Sequence, residues 1–145
     1  MKYLVFLLFP FSSVFGQTDT VKQSNTDTIP YATLHVYRIR DYVGSLMGLD
    51  LQLKNNIIDG LVLGKVMNNR KMIIKLYQAG KNELFINTEL TRSVFLNVKM
   101  GESYYLKVGL TTGLLAARAQ LQIMDKEQGQ MDFESIEKFT KPNVQ

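Results

Sequence analysis

From Tyr31 onward the chain alternates apolar and polar residues in short runs, and turn-forming residues separate one run from the next. Period-two alternation sends successive side chains to opposite faces of an extended segment, so each run reads as a strand with one buried face. Ala32–Arg38 sets Ala32, Leu34 and Val36 on one side and Thr33, His35 and Tyr37 on the other. Met47–Leu53 repeats the device with Met47, Leu49, Leu51 and Leu53 inward. Ile57–Met67 is a longer apolar run interrupted by Gly60 and Gly64, which predicts a strand with a bend or bulge. Asn68-Asn69 turns the chain into Lys71–Tyr77, and Gln78–Asn82 reads as a loop before the short strand Glu83–Asn87. Val94, Leu96 and Val98 mark the next strand. Met100-Gly101-Glu102 then reads as a hairpin turn, answered on its far side by Tyr104, Leu106 and Val108. Ala119, Leu121 and Ile123 are the inward set of a last strand. Eight short strands at near-regular spacing predict an all-β fold, an immunoglobulin-like or prealbumin-like antiparallel β-sandwich.

Two segments break the period. Leu110–Ala119 reads as loop or strand, yet Leu114–Ala117 would also suit the opening of a helix. Gln130–Phe139 carries Phe133, Ile136 and Phe139 at helical spacing with charges between them, which predicts a short amphipathic C-terminal helix laid on the sheet. Residues 31–139 thus form a single sandwich domain, and residues 140–145 a tail that frays.

The chain has no cysteine. No disulfide can staple it and no thiol can carry a lipid anchor, so roughly a hundred residues must hold together through one hydrophobic core.

Ahead of the domain, Met1–Gly16 has the three parts of a secretory signal peptide. Lys2 is the positive region, Tyr3–Phe9 the apolar region, and Val14 and Gly16 occupy the small-residue positions that place the cut between Gly16 and Gln17. The apolar run is too short for a bilayer core of about 30 Å, so no permanent membrane span is expected once the signal is removed. Residues 17–30, rich in Thr, Ser, Asn, Asp and Gln, read as a flexible polar lead. The expected location is the periplasm or the medium.

The formal net charge is +4, but Lys54, Lys65, Lys71, Lys75, Lys81, Lys99 and Lys107 are scattered, mostly at alternating strand positions. That is the pattern of a solvated outer sheet face and not of a nucleic-acid-binding stripe. Acidic glycans or lipid headgroups fit weak attraction of this kind.

Catalytic chemistry finds little support. His35 is the only histidine, no glycine-flanked nucleophilic serine accompanies it, and its strand position predicts that it faces solvent. One histidine and no cysteine leave no ordinary zinc or copper ligand set. Asp41, Asp50 and Asp59 match no calcium loop and read as turn residues. Gly60, Gly64, Gly109 and Gly113 lack the lysine and strand–helix context of a phosphate loop. No cofactor is expected. Adjacent tyrosines on a strand face opposite ways, so Tyr104 is expected to bury and Tyr105 to show, and Tyr105 beside Tyr37 or Tyr77 would make a recognition patch.

Ala32–Arg38, the Gly60–Gly64 region and above all Val98–Val108, with its Met100-Gly101-Glu102-Ser103-Tyr104-Tyr105 run, resemble the domain-of-unknown-function family numbered 2846. Its members place an opening "vyvyR" strand before an "aGktYYlkv" hairpin near the end. The resemblance spans about Tyr31–Asp125 and implies a β-sandwich of a small exported bacterial protein, many members being lipid-anchored. This chain lacks their cysteine and has Gln78-Ala79-Gly80-Lys81 where many have a Pro-Gly turn. The family has no established activity, so no site residue carries over. Together these readings predict a non-enzymatic binding or accessory module of the cell envelope, its partner an envelope protein, a peptide or a glycan. A structural subunit assembling through an exposed strand edge is the alternative, and a small hydrolase the third.

Overall fold

The structure, a computed structural model, describes residues 29–113 and 117–143. The expected signal peptide with its Gly16–Gln17 cut, most of the polar lead, and Leu114–Ala116 lie outside the described residues. The chain runs β1 (Ala32–Arg38), β2 (Leu49–Lys54), β3 (Leu61–Val66), β4 (Arg70–Leu76), β5 (Gly80–Ile86), β6 (Arg92–Val98), β7 (Ser103–Thr112), β8 (Ala117–Met124) and α1 (Lys126–Glu134). The strands form two four-stranded sheets, ordered β4-β1-β7-β8 and β3-β2-β5-β6. The fold is an all-β sandwich with a short C-terminal helix, as the alternation predicts. Immunoglobulin constant domains place their first, second, fifth and fourth strands in one sheet. Here β1 sits between β4 and β7, the prealbumin-like member of the expected pair.

Inward residues of both sheets fill one core. Leu34, Val36, Met72, Ile74, Leu106 and Val108 face Leu51, Leu63, Leu84, Ile86, Leu96 and Val98. Burying a side chain of this size contributes about 1.5–3 kcal/mol. Among the described residues, the buried members of both apolar clusters lie between Ala32 and Ile136.

Gly64 and Asn69 act as read, whereas β3 starts only at Leu61, so Gly60 turns the chain ahead of the strand at φ 79° instead of bending it from within. The β2–β3 register shifts between Leu51, opposite Gly64, and Gln52, opposite Val62, which leaves Leu63 as the bulged residue. Asn69 turns at φ 53°. Of Leu110–Ala119, residues 110–112 belong to β7 and residues 117–119 to β8.

Five further expectations need correction. The Met100–Glu102 turn is not a hairpin: β6 and β7 lie in different sheets, and β7 pairs parallel with β1 and antiparallel with β8. Gly101, at φ 81°, donates its N–H to Tyr31 O, and Thr33 N donates to Glu102 O, both at 2.9 Å. Those bonds draw the turn across to β1. The sandwich is therefore not wholly antiparallel. Met47 is exposed in the loop before β2 instead of inward on it. β5 starts at Gly80, earlier than Glu83. The helix starts at Lys126, because the Asp125 side chain accepts from Gln128 N and caps it. It stops at Glu134, so Ile136 and Phe139 lie beyond it. No described helix is long and apolar enough to cross a membrane.

Helix α1 covers the outer face of the β4-β1-β7-β8 sheet, where Tyr37, Tyr105, Phe133 and Ile136 make a second small apolar cluster with Met124. The chain then crosses to the sheet edges. Lys71 N donates to Lys138 O (2.9 Å), Thr140 N to Lys71 O (2.8 Å) and Asn143 N to Leu63 O (2.8 Å).

Candidate functional site

At one end of the sandwich, between β3 and β4, the core opens into a cavity of about 210 Å³. Leu53, Ile58, Leu61, Leu63 and Leu76 form its walls, and Asn55, Gln78 and Asn82 supply amides. The amides fix its shape. Asn82 occupies an inward position of β5 where the alternation calls for an apolar side chain, and it is almost wholly buried. Such a group must be hydrogen-bonded. Its Nδ2 donates to Gly80 O (3.0 Å) and Gln78 O (3.4 Å), and its Oδ1 accepts from Asn55 Nδ2 (2.9 Å). Asn55 Nδ2 also reaches Gln78 Oε1 at 3.3 Å. Asn55 Oδ1 accepts from Ile57 N (2.9 Å) and Ile58 N (2.8 Å), which pins the loop that carries Ile58 to the wall.

Tyr77, 48% exposed, stands at the cavity with Lys75. The Tyr31 ring meets Tyr77 edge-on at 6.0 Å, and Lys75 Nζ lies 4.5 Å from the Tyr31 ring centre. The lining holds one cation and no carboxylate or histidine. The site can exclude water from an apolar group and meet a polar or anionic end with Lys75. An apolar cavity of about 150 Å³ accepts benzene, so this one has room for a six-carbon ring or a short branched chain.

Of the three tyrosines singled out by the sequence, only Tyr77 reaches this place. Tyr37 and Tyr105 lie on the expected outer face, but α1 covers that face and both are buried. They do not form an exposed patch. Tyr37 Oη donates to Asp132 Oδ2 at 3.1 Å, and burial, then the Asp132 hydrogen bond and charge, push its ionisation upward. Burial also raises that of Tyr105. Tyr104 packs half-buried against the core, and its hydroxyl accepts from Lys99 N and donates to Asn97 O.

His35 is not solvent-facing either. It stacks on Tyr105 (4.6 Å between centres) and meets the Phe133 edge (4.9 Å), its Nδ1 is buried without a partner among the described residues, and burial lowers its pKa. Lys71, expected on a solvated face, is buried; its Nζ donates to Phe133 O at 3.0 Å between the Phe133 and Phe139 rings. The three aspartates are dispersed. Asp41 accepts from Val43 N as a turn residue should, whereas Asp50 lies on β2 near Lys65 and Asp59 pairs with Lys54.

Sequence reasoning missed Asn55, Asn82 and Lys75. Asn82 was legible: an amide at an inward position of an apolar strand signals a buried polar network.

Fold and cavity define a class, an all-β sandwich with an apolar, amide-braced cavity at one end. Compared with family models, curated proteins and solved structures, the chain matches none of them.

Proposed function

We propose that this chain is an exported β-sandwich of the cell envelope that works by binding and not by covalent chemistry, with the cavity beside Tyr77 as its binding site. The cavity carries the reading. A ligand pocket is concave and mainly apolar, with a few placed polar groups, and these walls and amides have that composition. The signal-like Met1–Gly16 supports export, to periplasm or medium, and the absence of cysteine supports an unanchored form. The resemblance to family 2846 supports the same assignment, since its two motifs fall on β1 and β7, neighbours in one sheet.

Two measurements test this. Secreted protein should begin at Gln17 by mass spectrometry and be found outside the cytoplasm; an intact N-terminus in the cytoplasmic fraction rules export out. For the cavity, titration with hexanoate and phenylacetate should shift the methyl resonances of Ile58, Leu61 and Leu63 saturably. Leu61→Trp, at a partly exposed wall position, should abolish the shifts while the fold persists. Absence of any saturable shift in the wild-type protein counts against a binding site here.

One observation favours assembly as the second reading. β8 is an eight-residue sheet edge with no proline and one charge, Arg118, and long uncharged edges invite pairing. Under that reading light scattering shows a dimer or larger, and Gln120→Pro returns it to monomer.

A further inference from the structure

Leu46 and Tyr42 are the most exposed large apolar side chains described, at 93% and 91%, and both stand on the loop that joins β1 to β2. Met47 and Ile39 are partly exposed near them. On a slack loop this would mean little, but this loop is gripped from beneath. Arg38 is wholly buried, and donates from Nη1 to Met47 O (2.8 Å) and from Nη2 to Val43 O (3.0 Å) and Gly44 O (2.9 Å). Asn68 holds the loop's first turn, accepting from Asp41 N at 3.0 Å and donating to Asp41 O at 2.8 Å. Gly44 takes φ 59°, which its missing Cβ permits.

Burying a guanidinium with no carboxylate bonded to it is costly. What it secures is one fixed shape for a loop whose apolar tips face outward, and a contact group fixed in advance loses less freedom on binding.

Charge gathers at the same end. Arg40 adjoins the loop, and Arg70 lies opposite Arg38 in the β1–β4 register and donates to Phe139 O at 3.2 Å. Lys138 and Lys141 bracket Phe139 and Thr140, which lie against Lys71. Asp41 and Glu137 are the nearby exposed acids along these segments, so cations prevail. The Phe139 ring is exposed as well.

We propose that this end of the molecule docks on an anionic lipid surface. Tyr42 and Leu46 enter the boundary between headgroups and acyl chains, and Arg40, Arg70, Lys138 and Lys141 lie over the headgroups. Both tips are almost wholly exposed, which suits a layer that deforms around them. Apolar side chains ringed by cations bind such layers through buried area and surface charge together.

Residues 17–145 are the protein for the test, because the apolar Met1–Gly16 would partition into lipid by itself. Flotation with phosphatidylglycerol–phosphatidylcholine vesicles should carry the protein upward, pure phosphatidylcholine vesicles should not, and high salt should weaken the binding. Tyr42→Ser with Leu46→Ser should lower vesicle affinity about tenfold or more, with an unchanged melting temperature because both side chains are in solvent. Arg40→Glu with Lys138→Glu should do likewise. Equal binding by the double serine variant, or no binding to the anionic vesicles, overturns the proposal. A Tyr42→p-benzoylphenylalanine variant that crosslinks to an envelope protein and never to lipid overturns it in favour of a protein partner.

Discussion

Arg38 enters the interior with its hydrogen bonds going to the carbonyls of Val43, Gly44 and Met47 and, among the described residues, to no carboxylate. Burial lowers its pKa and nearby Asp41 partly offsets the effect, but a guanidinium keeps its proton under any ordinary condition. Arg38→Met keeps much of the length and removes every donor. Stability should fall by about 1–3 kcal/mol in urea titration, and amide exchange should quicken around Val43–Met47 while the centre of β1 stays protected. Unchanged exchange in that loop would show that the guanidinium does not hold it. His35 gives the opposite kind of test. Its folded pKa lies below the ordinary 6.5, so between those two values the unfolded chain binds more protons and stability rises with pH. The protein should be most stable above about pH 6.5 and lose stability as pH falls below it. His35→Phe keeps a ring against Tyr105 and Phe133 and should flatten that part of the curve. The other titratable groups are common to both proteins, so the difference between the two curves reads His35 alone.

At the scale of elements, α1 explains why the outer-face residues were misread. Alternation fixes which face a side chain takes but not what later covers that face. Alternation puts Thr33, His35 and Tyr37 on the correct side, yet the helix that buries Tyr37 and partly covers His35 lies about ninety residues further along the chain. The spacing of Phe133, Ile136 and Phe139 did announce an apolar segment near the end. The Asp125 cap, however, starts the helix early enough that only Phe133 falls inside it. The seat of the helix is tight. A Cβ at Gly129 would stand 2.6 Å from Tyr105 Cγ and closer still to Tyr105 Cβ. Glycine to alanine inside a helix ordinarily favours the helix by about 1 kcal/mol. Here Gly129→Ala should destabilise instead, because α1 must lift from β7. A lower melting temperature, with the His35 and Tyr105 ring resonances moved toward exposed values, is the expected result, and a stabilised protein would contradict the close packing.

At the scale of the whole molecule, eight strands were readable from period and punctuation, but their order was not. The inward residues of β6 and β7 are the same whether the turn at Gly101 closes a hairpin or crosses between sheets, since either arrangement buries Leu96, Val98, Leu106 and Val108. Only the long-range β1–β7 pairing decides it. The same holds for the cavity, whose lining comes from four strands and two loops and meets only after both sheets close. Closure leaves a sandwich with edges, and this chain treats them unequally. The Lys138–Asn143 segment bonds to Lys71 on β4 and to Leu63 on β3, whereas β8 has no second neighbour in its sheet among the described residues. If that segment guards the β3 and β4 edges, removing residues 137–145 should leave the fold intact, because the core ends at Ile136. Loss of three backbone hydrogen bonds, each worth about 0.5–1.5 kcal/mol, should lower stability measurably. The bared edges should then make the shortened protein associate as concentration rises, seen as an increasing mass in light scattering. A peptide of residues 137–145 added in excess should reverse that association. Association that persists unchanged with the peptide present would place the sticky edge elsewhere, at β6 or β8.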